Sequence, residues 1–161
     1  MQEYIKKVGK NLLKTIQTEI LSGENFTYID SWLLEQDYST RINLKENKEQ
    51  YIPYVLVRPG AFRQEHKNSI TERTQEYLIA VVIKDKEVTG YEKIISIRNK
   101  IIDYFTENNY STGDKSYKLK LDITSDIDDN TTVGDYWGIY IKVIASIPVT
   151  NNHYFLKKRN I

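Results

Sequence analysis

YIPYVLVRPGAFRQEHKNSITERTQEYLIAVVIK, residues 51–84, is the stretch whose reading decides the fold. Residues 51–57 mix β-branched and aromatic side chains. Pro53 stands near their start, where a missing N–H is tolerated on an edge strand or at a first strand position. Residues 75–84, QEYLIAVVIK, are apolar on both faces in the middle, as a strand covered on both sides must be. Between them, residues 58–75 are too long for an ordinary hairpin turn unless the arms are themselves strands that project beyond the sheet. This segment carries Arg58, Phe62, Arg63, His66 and Arg73. It is either an active-site loop or a surface that grips another protein, and the rest of the chain has to decide between them.

Upstream, Ile5, Val8, Leu12, Leu13, Ile16 and Ile20 recur on a single helical face, with Lys6, Lys7, Lys10, Lys14 and Gln17 on the other. This spacing predicts an amphipathic helix ending near Ser22-Gly23, where Gly favours the left-handed residue that closes a helix. Residues 24–50 have no sustained period; a short helix around 30–35 or a strand near 39–44 are the readings open there. Downstream, Thr89-Gly90-Tyr91-Glu92 has the form of a capping box, Thr89 accepting from the Glu92 N–H and the Glu92 carboxylate from the Thr89 N–H. Tyr91, Ile94, Ile95, Ile101, Ile102 and Phe105 then form a helical stripe ending near Asn108-Asn109. Burying that stripe contributes on the order of 9–18 kcal/mol before chain entropy, so its partner must be broad, and a sheet fits.

Two more strands follow. Tyr117, Leu119, Leu121 and Ile123 alternate with polar residues, and WGIYIKVIASIPV, residues 137–149, places Ile139, Ile141, Val143, Ala145, Ile147 and Val149 on one face. The fold class is α+β: a mostly antiparallel sheet, an N-terminal helix and a crossover helix packed on one face, and a projecting β-hairpin. One domain spans 1–161, with about 150–161 expected to form a flexible tail. There is no internal repeat, low-complexity tract or linker.

Composition narrows the chemistry. The 161 residues suffice for one core without metal or disulfide staples. Lys and Arg number 23 against 22 Asp and Glu, so the net charge of +1 steers the protein towards neither nucleic acid nor membrane. With no cysteine, disulfides, thiolate nucleophiles and sulfur-ligated zinc are excluded. The N-terminus breaks its apolar residues with Lys and Glu, which predicts neither a signal peptide nor a membrane span. The N-x-[ST] sequons at Asn25, Asn109 and Asn130 are then products of an Asn- and Thr-rich composition. The 13 tyrosines fit both an AT-rich coding bias, bacterial or viral, and an interface protein.

No motif names a reaction. Asp126, Asp128 and Asn130 match the first alternate ligands of an EF-hand loop. Thr131, however, stands where the turn needs Gly, and Trp137 where the bidentate Glu belongs, so the run reads as a solvated connection. The two histidines, His66 and His153, have no second ligand at helical or hairpin spacing. Ser69, His66 and an aspartate compose a triad only on paper, because no nucleophile elbow is present. The glycines are scattered, so there is no phosphate loop, and Lys157-Lys158-Arg159 is a short basic terminus of the kind that stays solvated. The expectation is therefore no enzyme, no cofactor and no metal. Arg58, Phe62, Arg63, His66 and Arg73 suit protein contact, since arginine and aromatic side chains are enriched in interfaces.

The amphipathic N-terminal helix, the extended hairpin YIPYVLV…YLIAVVI and the charged turn KDKEVTGYEKI together carry a family resemblance, continued by the helix through IIDYF and the strand WGIYIKVIASIPV. Over roughly residues 1–149 the chain resembles the tail terminator, or tail completion, proteins of tailed phages and phage-tail-like particles. The resemblance implies a structural protein of the virion tail, made in the bacterial host cytoplasm. It also implies a ring, usually hexameric, that caps the tail tube, stops its growth and offers the surface to which head or neck docks. Its partners would be other copies of itself, the tube protein, and a neck, head-completion or sheath protein, with no specific nucleic acid and no membrane. The alternatives are a neck or head-completion protein, a small metal-dependent hydrolase using Glu65, His66 and aspartates, and an adaptor with a single partner.

Overall fold

The computed structural model describes residues 2–30, 51–108, 119–127 and 135–147. Helix α1 (Gln2–Thr15) is followed by strands β1 (Thr27–Asp30), β2 (Tyr54–Lys67) and β3 (Ile70–Lys84), helix α2 (Glu87–Glu107), and strands β4 (Leu119–Ile127) and β5 (Tyr136–Ile147). The five strands form one sheet in the order β1-β2-β3-β5-β4. Every pairing is antiparallel except that of β1 with β2. Helix α2 links β3 to β4, with β5 lying between those two strands, and is the expected crossover. The fold is α+β.

Register explains the core. Val57, Ile79 and Ile141 lie side by side across three strands, as do Val55, Val81 and Ile139. On that face α1 sets Val8, Leu12 and Ile16, and α2 sets Ile94, Ile97, Ile101 and Phe105, all buried. Lys6, Lys7, Lys10, Lys14 and Gln17 are exposed, as the period of the apolar stripe requires. Leu56, Ala80 and Val82 are buried on the other face of the sheet, which is why the middle of β3 reads as apolar on both sides. The first helix ends in a π-helical turn, Ile16–Ile20, and Gly23 turns the chain at φ +83°, a conformation glycine adopts without steric cost.

The segment after Gly23 holds a strand that sequence periodicity does not show. β1 is only four residues long, too short for alternation to register, and it takes its ladder from β2 through pairs running from Thr27↔Tyr54 to Asp30↔Val57. Asp30 therefore ends a strand instead of opening a helix, while the rest of 30–35 and all of 39–44 lie outside the described residues. Tyr117 and Val149 lie outside them as well, as do residues 150–161.

The start of α2 corrects the capping-box expectation. The helix begins at Glu87, two residues before Thr89, and Lys86 is its N-cap with no side-chain hydrogen bond. The Thr89 hydroxyl points back to the Lys86 carbonyl at 3.5 Å. The physical reason is the short exit from β3: the Asp85 N–H is tied to the Asp135 carbonyl at 2.8 Å. The Asp85 carboxylate accepts from the Lys86 N–H at 2.8 Å. The chain is thus held at the sheet end and turns helical at once.

The apolar stripe shifts by one residue at the same place. Tyr91 is 48% exposed, and the buried line runs Gly90, Ile94, Ile97, Ile101 and Phe105. The space a side chain at position 90 would fill is taken by the indole of Trp137, against whose edge Tyr91 packs with ring centroids 5.8 Å apart. Glycine here is a requirement of packing. Gly90→Ala is expected to destabilise the fold by about 1–3 kcal/mol through overpacking, even though alanine favours a helix by about 1 kcal/mol. Urea denaturation measures it, and a gain in stability would show that the indole swings aside at no cost.

No helix of the described residues is long and apolar enough to cross a membrane.

Candidate functional site

Residues 58–75 resolve into two strand arms and a tight turn. Asn68 and Ser69 both have positive φ, +51° and +64°, which makes the connection a two-residue hairpin of the type whose twist matches its strands. Pairing runs without a break from Phe62↔Gln75 to Lys67↔Ile70. Among the described residues, β1 pairs with β2 only as far as Val57, and β5 with β3 only as far as Arg73. Every residue from Pro59 to Ile70 is exposed.

A bulge interrupts the β2–β3 ladder at the root of this outer hairpin, while β3 stays paired with β5 as far as Arg73. β3 advances from Tyr77 to Gln75 while β2 advances from Pro59 to Phe62, so Gly60 and Ala61 together oppose Glu76. One extra residue inverts the alternation of everything beyond it. In the sheet the odd residues Val55 and Val57 face the helices; beyond the bulge the even residues Phe62, Gln64 and His66 share that side, opposite Gln75, Arg73 and Thr71.

This register splits the five contact residues expected from sequence. Phe62, His66 and Arg73 lie on the helix side, whereas Arg58, opposite Leu78, and Arg63, opposite Thr74, lie on the other. Each side has its own side-chain bracing, across the strands on the helix side and both along β2 and across to β3 and β5 on the other. On the helix side Arg73 Nε donates to Gln64 Oε1 at 2.8 Å, and His66 Nδ1 lies 2.9 Å from Thr71 Oγ1. On the other side Lys67 Nζ meets Glu65 Oε2 at 2.9 Å, a hydrogen bond that raises the Lys67 pKa above its ordinary value. Glu76, its side chain 15% exposed, sits between Arg63 at 3.8 Å and Lys142 at 3.7 Å. Such long, wet ion pairs orient more than they stabilise. Phe62 at 39% exposure and Ile70 at 70% are the apolar side chains the outer hairpin presents to solvent.

The side chains of a catalytic reading are not gathered here. Glu65 and His66 are neighbours in a strand and so point to opposite faces. His66 engages Thr71, and Ser69 occupies the turn. Among the described residues no three His, Asp or Glu side chains cluster as a metal would require. Asp126 lies in β4 opposite Tyr140; Asp128, Asn130, His153 and Lys157-Lys158-Arg159 lie outside the described residues.

The residue that sequence reasoning missed is Gln75. It is 2% exposed, and its Nε2 donates to the carbonyls of Gly60 at 2.9 Å, Glu76 at 3.0 Å and Ala61 at 3.3 Å. A signal was available: Gln75 continues the alternation of Tyr77, Ile79, Val81 and Ile83, so a polar residue stands at a core-facing position. The chain matches no protein-family model and no curated protein sequence.

Proposed function

We propose that this chain is a tail terminator of a phage or phage-tail-like particle, a structural subunit whose work is assembly: it closes into a hexameric ring on the tail tube, ends tube growth and receives the head or neck. The observation that carries the reading is the outer hairpin, an exposed and cross-braced strand pair bearing Phe62 and Ile70 on a sheet whose centre is buried. A ring requires contacts between unlike surfaces of neighbouring copies. An exposed strand pair supplies them through its backbone and through arginine and aromatic anchors. The resemblance in layout and size to tail terminators supports the same reading.

Electron microscopy of particles assembled without this chain tests it, with tube length as the readout. Overlong, irregular tubes without a finished top are expected. Tubes of normal length that fail to join heads would assign the chain to the neck, and unaltered particles would overturn both assignments.

A further inference from the structure

The geometry points to Gln75 as the positioning residue of the outer hairpin, a lock that fixes the direction in which the strand pair leaves the sheet. This inference deepens the proposed function and rests on it for its biological meaning; the structural part stands alone.

A bulge bends a strand and interrupts its ladder. Here it falls between Pro59 and Phe62, beyond the last β1 pair at Val57. Pro59 has no N–H, and Gly60 and Ala61 share one partner residue on β3, so the ladder is weakest where the exposed strands begin. The Gln75 amide spans this gap from the facing strand, donating to the carbonyls on both bulged residues and to that of Glu76. Two amide hydrogens are thereby shared among three carbonyls. Buried at the helix-side base of the hairpin, directly opposite Phe62 and beside Ala145 of β5, Gln75 ties β2, β3 and the core together at one point. On the reverse side Glu76 reaches Arg63 of β2 and Lys142 of β5. The exposed strands are therefore held from both faces at their root, and the buried, multiply bonded contact is the stronger of the two.

Gln75→Met keeps length and volume but cannot donate; Gln75→Glu keeps the shape and turns an acceptor towards three acceptors. Hydrogen exchange on the full chain, read by NMR, is the test. Amides of 62–74 are expected to exchange about tenfold faster in Gln75→Met, as loss of one to two hydrogen bonds implies, and faster still in Gln75→Glu. Amides of Val55, Ile79 and Val81 stay protected in both. Exchange that is unchanged, or that rises equally in hairpin and core, overturns the positioning role. Tube capping by the same variants reads the biological half separately: faster hairpin exchange with undiminished capping would keep the lock and refute its link to the proposed function.

Discussion

Tyr77→Ala is expected to cost about 3–5 kcal/mol of folding stability, the range for removing a fully buried aromatic side chain. Tyr77 is 0% exposed in the central strand. One edge of its ring lies against Gly9 of α1, where an added Cβ would stand 3.3 Å from Cε1. Its hydroxyl donates to the Ile5 carbonyl at 2.8 Å, across 72 residues of chain. A single side chain thus both fills the space between α1 and the sheet and pins the first turn of the helix. The loss is a large share of the 5–15 kcal/mol typical of a whole domain. Tyr77→Phe separates the two roles. It removes only the hydroxyl, and because the Ile5 carbonyl keeps the Gly9 N–H as its helical partner, the expected cost is about 1 kcal/mol. Chemical denaturation gives both values, and trypsin cleavage at Lys6, Lys7 and Lys10 reports whether α1 has lifted. A loss below about 1 kcal/mol for Tyr77→Ala would mean that α1 docks without the ring.

The parts of this fold legible in the sequence are those where one physical signal dominates. The stripe from Val8 to Ile16 and the alternation from Ile139 to Ile147 each reflect burial of one face, and both recur in the structure. The illegible parts depend on partners distant in sequence. Thr27–Asp30 is a strand because β2 lies beside it. Gly90 takes the core position next to Tyr91 because Trp137, 47 positions further along, occupies the space. The Asn68-Ser69 turn lacks the Asn-Gly or Asp-Gly signature of its class. At the candidate site, the exposure of Phe62, Arg63 and His66 was readable as polarity between two apolar runs, with Arg58 and Arg73 half-buried at its ends. Their division between two faces was not, because it depends on the extra residue at Gly60-Ala61, which no local propensity reveals.

That division sharpens what is expected of Phe62→Asp with Arg63→Asp: tube capping is abolished while the monomer stays folded. The two residues are consecutive in β2 and lie on opposite sides of the hairpin, so the pair of substitutions alters both surfaces at once. Phe62 is 39% exposed and the Arg63 side chain 68%, so neither supplies much of the core. The aspartate at position 62 replaces an aromatic anchor by a charge that a closed contact would have to desolvate. The aspartate at position 63 reverses the charge facing Glu76, which Lys142 alone then balances. In the monomer such surface changes cost about 1 kcal/mol or less, whereas losing a central anchor from an interface commonly costs 2 kcal/mol or more, roughly 30-fold in affinity for each contact. A ring repeats the contact at every subunit boundary, so the penalty recurs around it. The readouts are a thermal melt of the isolated chain and tube lengths in its presence. Intact capping by a folded double variant would exclude the outer hairpin as the docking surface, and loss of capping with a collapsed melt would place both residues in the fold itself.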